Sequence, residues 1–83
     1  MDIAILSPDK PIFEGKAKML TLPGMDGLFQ ILDNHAPLVA ALGEGEVRVD
    51  QENGESLKIN IATGFIEVLN NTVSLLVSGV TDD

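Results

Sequence analysis

The spacing of apolar residues is the feature that most restricts the fold of this 83-residue chain. In the second half, apolar side chains recur at every second position, as in Leu57, Ile59 and Ile61, with polar residues between them. A period of two with many β-branched residues is typical of strands. No segment has the three- and four-residue apolar spacing of a convincing helix. The pattern therefore predicts an all-β protein.

Turn residues divide the chain into short segments. Asn53-Gly54 suits a two-residue hairpin turn, because both residues tolerate a positive φ. Gly15 is expected to interrupt a strand that starts at Ile12, and Pro23 to end the strand that follows. Eight to ten short strands at this spacing predict a β-sandwich or a barrel. Our choice is an antiparallel sandwich of about ten strands, which forms one domain over residues 1–83.

Residues 22–42 combine turn chemistry with apolar surface. They include the sole histidine, His35, and end in the run 36–42, which has no polar side chain. A strand that only filled a core would alternate, or would run apolar between turns. Alanines fill a small core poorly, so their presence in this run favours close approach by another chain over a purely core strand. Ala40→Arg is accordingly expected to leave folding intact and to abolish that contact.

The charge balance restricts the class of partner. Thirteen acidic and five basic residues give a net charge of −8. Binding to nucleic acid or to anionic lipid requires clustered Lys and Arg, so the composition argues against both. A basic protein partner fits this charge, although an acidic surface that only keeps a small domain soluble is the commoner explanation.

Compartment and membrane signals point to the cytoplasm. The chain has no cysteine, which excludes disulfides and thiolate metal sites. Asp2 stands where a signal peptide needs positive charge. The apolar run 36–42 is far shorter than the roughly 20 residues that cross a bilayer as a helix. We expect a protein without direct membrane insertion that is monomeric in isolation.

The residues needed for catalysis are largely missing. His35 is the only imidazole, and no hydroxyl lies in a nucleophile motif such as G-x-S-x-G. A zinc site would have to recruit three carboxylates around that histidine. The acidic run 50–55 has its glycine fifth, where a calcium-binding EF-hand loop needs it sixth. We therefore predict no catalytic residue, no metal and no cofactor, and we expect a protein that is not an enzyme.

A covalent carrier domain of the biotinyl or lipoyl type is the competing hypothesis, since such a domain is also a small acidic β-sandwich. Its modified lysine stands at a hairpin tip, commonly beside methionine. Lys18-Met19 is the nearest match in this chain, but it lies within an alternating strand. The carrier function is therefore kept as the alternative.

Several motifs follow one another in unbroken order along almost the whole chain. They are Ile12-Phe13-x-Gly15, Leu22-Pro23-Gly24-x-x-Gly27, Asn34-His35-Ala36-Pro37-Leu38, Gly45-x-Val47-x-Val49 and Gly64-Phe65-x-Glu67-Val68. Together they resemble the N-terminal β-sandwich of ATP synthase epsilon subunits. The most specific part of this resemblance is H-A-P-L after P-G-x-x-G, followed by G-F-x-E-V.

The resemblance implies a ten-stranded sandwich at the foot of the central stalk of the rotary, proton-translocating ATP synthase. Such a subunit grips the γ subunit, rests on the polar loops of the c-ring, and transmits rotation between proton flow and ATP synthesis without doing chemistry. It would lie at the cytoplasmic face of the bacterial inner membrane, or at the organellar equivalent, as a peripheral subunit.

The resemblance also implies two contact surfaces. The residues expected toward γ are Ser7, His35, Ala36, Leu38, Ala40 and Leu42. The residues expected toward the c-ring are Met25, Asp26, Gly27 and Leu28. Asp26 could pair with a basic residue of the c-ring loops, although an exposed pair contributes at most about 1 kcal/mol. Leu28 stands where many relatives have an acidic or small residue, so we expect a more apolar c-ring contact here.

Many members of this family continue into a pair of C-terminal helices that can inhibit ATP hydrolysis. The present sequence ends at Asp83 and resembles a short form without that pair. If this is the native terminus, inhibition by an inserted helix is expected to be absent. A truncated chain would look the same in the sequence.

Overall fold

The computed structural model describes residues 1–81, so expectations about Asp82 and Asp83 lie outside the described residues. The strands are β1 (Asp2–Leu6), β2 (Pro11–Gly24), β3 (Gly27–Leu32), β4 (Leu38–Leu42), β5 (Gly45–Gln51), β6 (Ser56–Ile61), β7 (Thr63–Leu69) and β8 (Thr72–Ser78). This confirms the all-β prediction. The described part of the chain has eight strands, slightly fewer than predicted. Nowhere in this part is there a helix long and apolar enough to cross a membrane.

The fourteen-residue strand β2 accounts for the lower strand count. Gly15 does not interrupt it, but pairs with Ile3 of β1. The first half of β2 pairs with β1 and the second half with β3 and β5, with a register shift between Ala17 and Met19. A bulge of this kind bends a strand and increases its twist, which lets one strand serve both layers of a sandwich. The predicted break at Gly15 was therefore wrong.

The strands form two layers that share β2. In one layer the order is the first half of β2, then β1, β8, β7 and β4. In the other it is β3, the second half of β2, β5 and β6. Strand β4 pairs with β2 at one position, where Gly24 lies opposite Leu42. Strands β1 and β8 are parallel, and the other strand pairings within residues 1–81 are antiparallel. The predicted antiparallel sandwich is thus confirmed with one parallel pairing.

The core lies between the two layers and is mainly aliphatic. Val73, Leu75 and Val77 alternate with exposed residues along β8 and are buried, as the period of two predicts. Two phenylalanines, Phe13 and Phe29, pack against the core while remaining partly exposed. Each fully buried aliphatic side chain stabilises the fold by roughly 1.5–3 kcal/mol.

The hairpin turns differ in part from the prediction. The two-residue turn with positive φ occurs between β7 and β8, where Asn70 and Asn71 have φ of 52° and 60°. The connection through Asn53 and Gly54 is longer than predicted. The Gln51 N–H donates to the Glu55 carbonyl at 2.9 Å, so the loop between these two residues contains residues 52–54. Gly54 there has a φ of 92°, which favours glycine. The two-residue turn predicted at 53–54 was therefore wrong.

Candidate protein-binding surfaces

Strand β4 presents alternate residues to the core. Leu42 is 1% exposed, and Leu38 and Ala40 pack against the core cluster. The outward residues of the strand are Val39, which is 59% exposed, and Ala41. The expectation that Ala40→Arg leaves folding intact is therefore withdrawn. The roles of Leu38, Ala40 and Leu42 toward γ stay predictions.

The predicted residues His35 and Ala36 lie in the turn that leads into β4. The His35 backbone N–H donates to the Leu32 carbonyl at 3.1 Å. Its Nδ1 lies 2.7 Å from the Ala36 carbonyl oxygen, which can only accept, so Nδ1 carries the proton. The Asn34 N–H donates to the Asn71 side-chain oxygen at 2.7 Å and ties this turn to the β7–β8 hairpin. The imidazole thus satisfies a backbone carbonyl, and Nε2 is the ring nitrogen left for a γ contact.

Ser7 closes the loop between β1 and β2. Its hydroxyl donates to the Lys10 carbonyl at 2.9 Å, and its backbone N–H donates to the same oxygen at 3.0 Å. The Lys10 N–H in turn donates to the Ser7 hydroxyl at 3.3 Å. This reciprocal arrangement holds the loop beside the end of β1, next to the partly exposed Leu6.

A row of apolar side chains crosses the outer face of the β1–β8–β7–β4 layer. The strand register places Leu6 opposite Leu76, Leu76 opposite Phe65, and Phe65 opposite Ala41. The first three of these side chains are each about half exposed, and Ala41 is exposed. Leu6, Leu76 and Phe65 also line a groove of about 550 Å³ that Ser7 borders. We call these four residues the apolar row.

Sequence reasoning did not predict the apolar row as a binding surface. The sequence feature that indicates such a surface is two consecutive apolar residues within an otherwise alternating strand. Phe65-Ile66 and Leu75-Leu76 are two examples. Only one residue of each pair can face the core, because successive side chains point to opposite faces of a sheet. Contiguous exposed apolar residues are typical of protein contact sites.

The predicted c-ring turn forms the tip of the β2–β3 hairpin. Gly24 pairs with Gly27, and Met25 and Asp26 form the turn between them. A Cβ at Gly24 would lie only 2.7 Å from the Gly27 carbonyl oxygen, so this close approach requires glycine. Met25 and Leu28 are 70% and 74% exposed, and Asp26 is also exposed. The four predicted residues are thus brought together at one accessible, largely apolar tip.

Pro23 pairs with Leu28 inside the hairpin. It therefore does not end β2, contrary to the prediction. Pro23 cannot donate a backbone hydrogen bond, but its carbonyl accepts one from the Gly43 N–H at 2.8 Å. This bond links the hairpin to the loop between β4 and β5.

A buried carboxylate lies on β5, apart from the hairpin tip. The Ser56 hydroxyl donates to Asp50 Oδ1 at 2.8 Å, and Arg48 Nε and Nη2 each lie 3.2 Å from the same oxygen. The Ser56 hydrogen bond, with a further contribution from Arg48, lowers the pKa of Asp50 although burial opposes this. The cluster joins β5 to β6. Residues 1–81 contain no group of three or more metal-ligating side chains suitably placed for an ion.

Lys18, the residue on which the carrier hypothesis depends, lies inside β2. It falls at the register shift between Ala17 and Met19, where β2 passes from one layer to the other. A carrier lysine stands at a hairpin tip, so this position does not support the carrier hypothesis.

Comparison with known proteins gives matches along nearly the whole chain. The family described as ATP synthase, delta/epsilon chain, β-sandwich domain matches residues 1–82. The ATP synthase epsilon chain of Leptospira borgpetersenii is 47% identical over 77 residues, which cover 92% of this chain and 59% of the relative. The ATP synthase epsilon chain of Chlorobium limicola is 42% identical over 77 residues, which cover 93% of this chain and 88% of the relative. The chain thus spans about three fifths of the length of the Leptospira relative.

Two solved assemblies contain chains of similar fold. A chain of the Tetrahymena thermophila mitochondrial ATP synthase central stalk and c-ring superposes with a TM-score of 0.81 at 18% identity, covering 99% of this chain and 66% of that chain. A chain of the Euglena gracilis mitochondrial ATP synthase gives a TM-score of 0.84 at 20% identity, covering 95% of this chain and 51% of that chain. At such identities the likeness concerns the fold alone. The family match and the curated relatives establish that this chain belongs to the β-sandwich domain family of ATP synthase delta/epsilon chains.

Proposed function

We propose that the chain is a non-catalytic part of the central stalk of a rotary, proton-translocating ATP synthase. In this role it links the γ subunit to the c-ring and transmits rotation between proton flow and ATP synthesis. The observation that carries the proposal is the family match over residues 1–82, supported by relatives named ATP synthase epsilon chain. Both solved assemblies of similar fold are ATP synthases that include a c-ring.

The surface proposed for γ is centred on the apolar row. Fully buried centres of protein interfaces are depleted in charge and rich in apolar side chains, and none of the four residues of the row is charged. Ser7 borders the groove beside the row, and the segment of His35 and Ala36 leads into β4. Leu38, Ala40 and Leu42 would then support this surface from the core side, while Val39 and Ala41 make the contacts.

The surface proposed for the polar loops of the c-ring is the hairpin tip of Met25, Asp26, Gly27 and Leu28. Met25 and Leu28 offer apolar contact, and the exposed Asp26 carboxylate offers a partner for a basic side chain. An exposed ion pair contributes at most about 1 kcal/mol, so apolar contact is expected to dominate the affinity.

Transmission of rotation requires a body that does not shear. Strands β1, β8, β7, β4 and β2 are hydrogen-bonded in a closed ring, since β2 pairs with both β1 and β4. Strand β1 is paired along both of its edges, whereas β4 joins β2 at the single pair of Gly24 with Leu42. The ring joins the proposed γ surface to the hairpin tip through β2 and β4. In this role the subunit would be peripheral to the membrane, at the cytoplasmic face of the bacterial inner membrane or its organellar equivalent.

Titration of the folded chain with its cognate γ subunit, followed by calorimetry, tests the proposal. Phe65→Glu places a charge in the centre of the apolar row, and Gln30→Glu places the same charge on an exposed strand position of the other layer. We expect one-to-one binding by the original chain and by Gln30→Glu, and a loss of binding by Phe65→Glu. No binding by the original folded chain, to γ or to the assembled catalytic head, would contradict the proposed function.

A further inference from the structure

We infer that the c-ring contact extends beyond the hairpin tip into a groove with an acidic rim, which accepts a loop that carries an apolar side chain next to a basic one. This inference rests on the proposed function, because it assigns the occupant to the polar loops of the c-ring. It adds two acidic residues, Glu44 and Glu46, that the resemblance does not assign to any contact.

The groove lies beside the tip on the outer face of the β3–β2–β5 layer and measures about 480 Å³. Its lining includes Met19, Pro23 and Leu28 together with Gly45. A Cβ at Gly45 would lie 2.8 Å from the Pro23 Cβ, and the φ of Gly45 is 155°. Glycine therefore lets the start of β5 lie directly against β2. The Gly45 backbone and the Pro23 ring thus form the base of the groove.

The apolar wall of the groove continues into the tip. Leu28 lines the groove and, with Met25, belongs to the most exposed large apolar residues of the described chain. The Met25 sulfur lies 3.6 Å from the position that a Cβ at Gly43 would occupy, so the tip packs against the β4–β5 loop. The tip and that loop therefore form one surface. An incoming apolar side chain would find Leu28 on one side and Pro23 beneath it.

The rim of the groove is acidic. Glu44 and Glu46 line it, and Asp26 stands at the adjoining tip, all three with exposed side chains. Across residues 1–81 no ion pair joins any of these three carboxylates to a Lys or Arg. The cation in the lining, Arg48, is engaged by Asp50 at 3.2 Å. The rim therefore presents uncompensated negative charge, which complements a basic side chain on the partner.

Binding to the purified, detergent-solubilised cognate c-ring tests this inference. Glu44→Lys/Glu46→Lys is expected to lower the affinity roughly tenfold at low salt, since it replaces two carboxylates that attract the basic side chain with two cations that repel it. The loss should shrink at high salt, because surface charges are screened. Leu28→Ser should weaken binding at both salt concentrations. The control Asp9→Lys/Glu55→Lys makes the same charge change at exposed positions outside the groove and should bind as the original chain does.

The outcomes separate this inference from the proposed function. If the original chain binds the c-ring and the Glu44/Glu46 variant binds equally well, the groove is not part of the contact and the inference fails alone. An equal loss in the Asp9/Glu55 control would assign the effect to net charge and would also overturn it. If the original chain binds γ but not the c-ring, the c-ring half of the proposed function fails, and the inference with it. Circular dichroism and γ binding of each variant establish that it is folded.

Discussion

Gly24 of β2 pairs with Leu42 of β4, and this pair closes the ring of strands that β1, β8, β7, β4 and β2 form. The Gly24 position leaves no room for a side chain. A Cβ there would lie 2.7 Å from the Gly27 carbonyl oxygen and 2.9 Å from the Phe29 ring. The closure of the sandwich and the shape of the hairpin tip therefore depend on the same glycine.

Gly24→Ala should distort the tip and destabilise the fold by about 1–3 kcal/mol, because the methyl group meets backbone as well as the Phe29 ring. Gly43→Ala is the matched control. A Cβ at Gly43 would make only ordinary contacts, at 3.6 Å and beyond, and such a surface change is expected to stay within about 0.5 kcal/mol. Urea unfolding of both variants measures the difference. Equal midpoints for the two variants would contradict the prediction.

Substitution by arginine should affect stability at Ala40 of β4 and binding to γ at the neighbouring Ala41. Ala40 packs against the core, so Ala40→Arg forces a charge toward apolar surroundings and should destabilise by about 3 kcal/mol or more. Ala41 is exposed on the outer face, so Ala41→Arg should fold normally and weaken binding to γ. Denaturant unfolding and calorimetric titration with γ separate the two effects. Normal stability of Ala40→Arg would contradict the assignment of Ala40 to the core side of β4.

Stability should depend on pH through Asp50. Its pKa in the folded chain is lowered from the ordinary value of 3.8, chiefly by the Ser56 hydroxyl. A carboxyl with a lowered pKa contributes stability that is fully present above its unfolded pKa and is lost as the pH falls through the folded value. The deficit of Ser56→Ala relative to the original chain should therefore be largest above pH 3.8 and should shrink below it. Urea midpoints across this range provide the measurement, and a deficit independent of pH would rule out this linkage.

Position 70 in the β7–β8 turn should tolerate substitution by glycine better than substitution by alanine. Asn70 has a φ of 52°, in the left-handed region that costs an ordinary L-residue about 1–2 kcal/mol. Asn70→Ala should therefore lower the free energy of unfolding by about 1 kcal/mol, whereas Asn70→Gly should be close to neutral. Thermal unfolding of the two variants tests this. A more stable alanine variant would indicate a different turn conformation.

The sequence by itself determined the fold class and the family. The alternation of Val73, Leu75 and Val77 with Ser74 and Ser78 suffices to predict a strand and its buried face, because side chains in a strand alternate between two environments. The ordered motifs around Gly24, His35 and Gly64 suffice to indicate the family, which the family match confirms. The turn dipeptides Pro23-Gly24 and Asp26-Gly27 also placed Met25 and Asp26 in a tight turn, and both are exposed at the hairpin tip.

Tertiary structure alone decided two other matters. Gly15 signals a break, yet β2 continues through it because β1 pairs alongside and the bulge after Ala17 bends the strand. In the run 36–42 every side chain is apolar, so periodicity cannot tell which residues face the core. Pairing with β7 turns Ala40 inward and Ala41 outward. Where every side chain is apolar, the local pattern can specify a strand but not its buried face, which then depends on the partner strand and on the layer packed behind it.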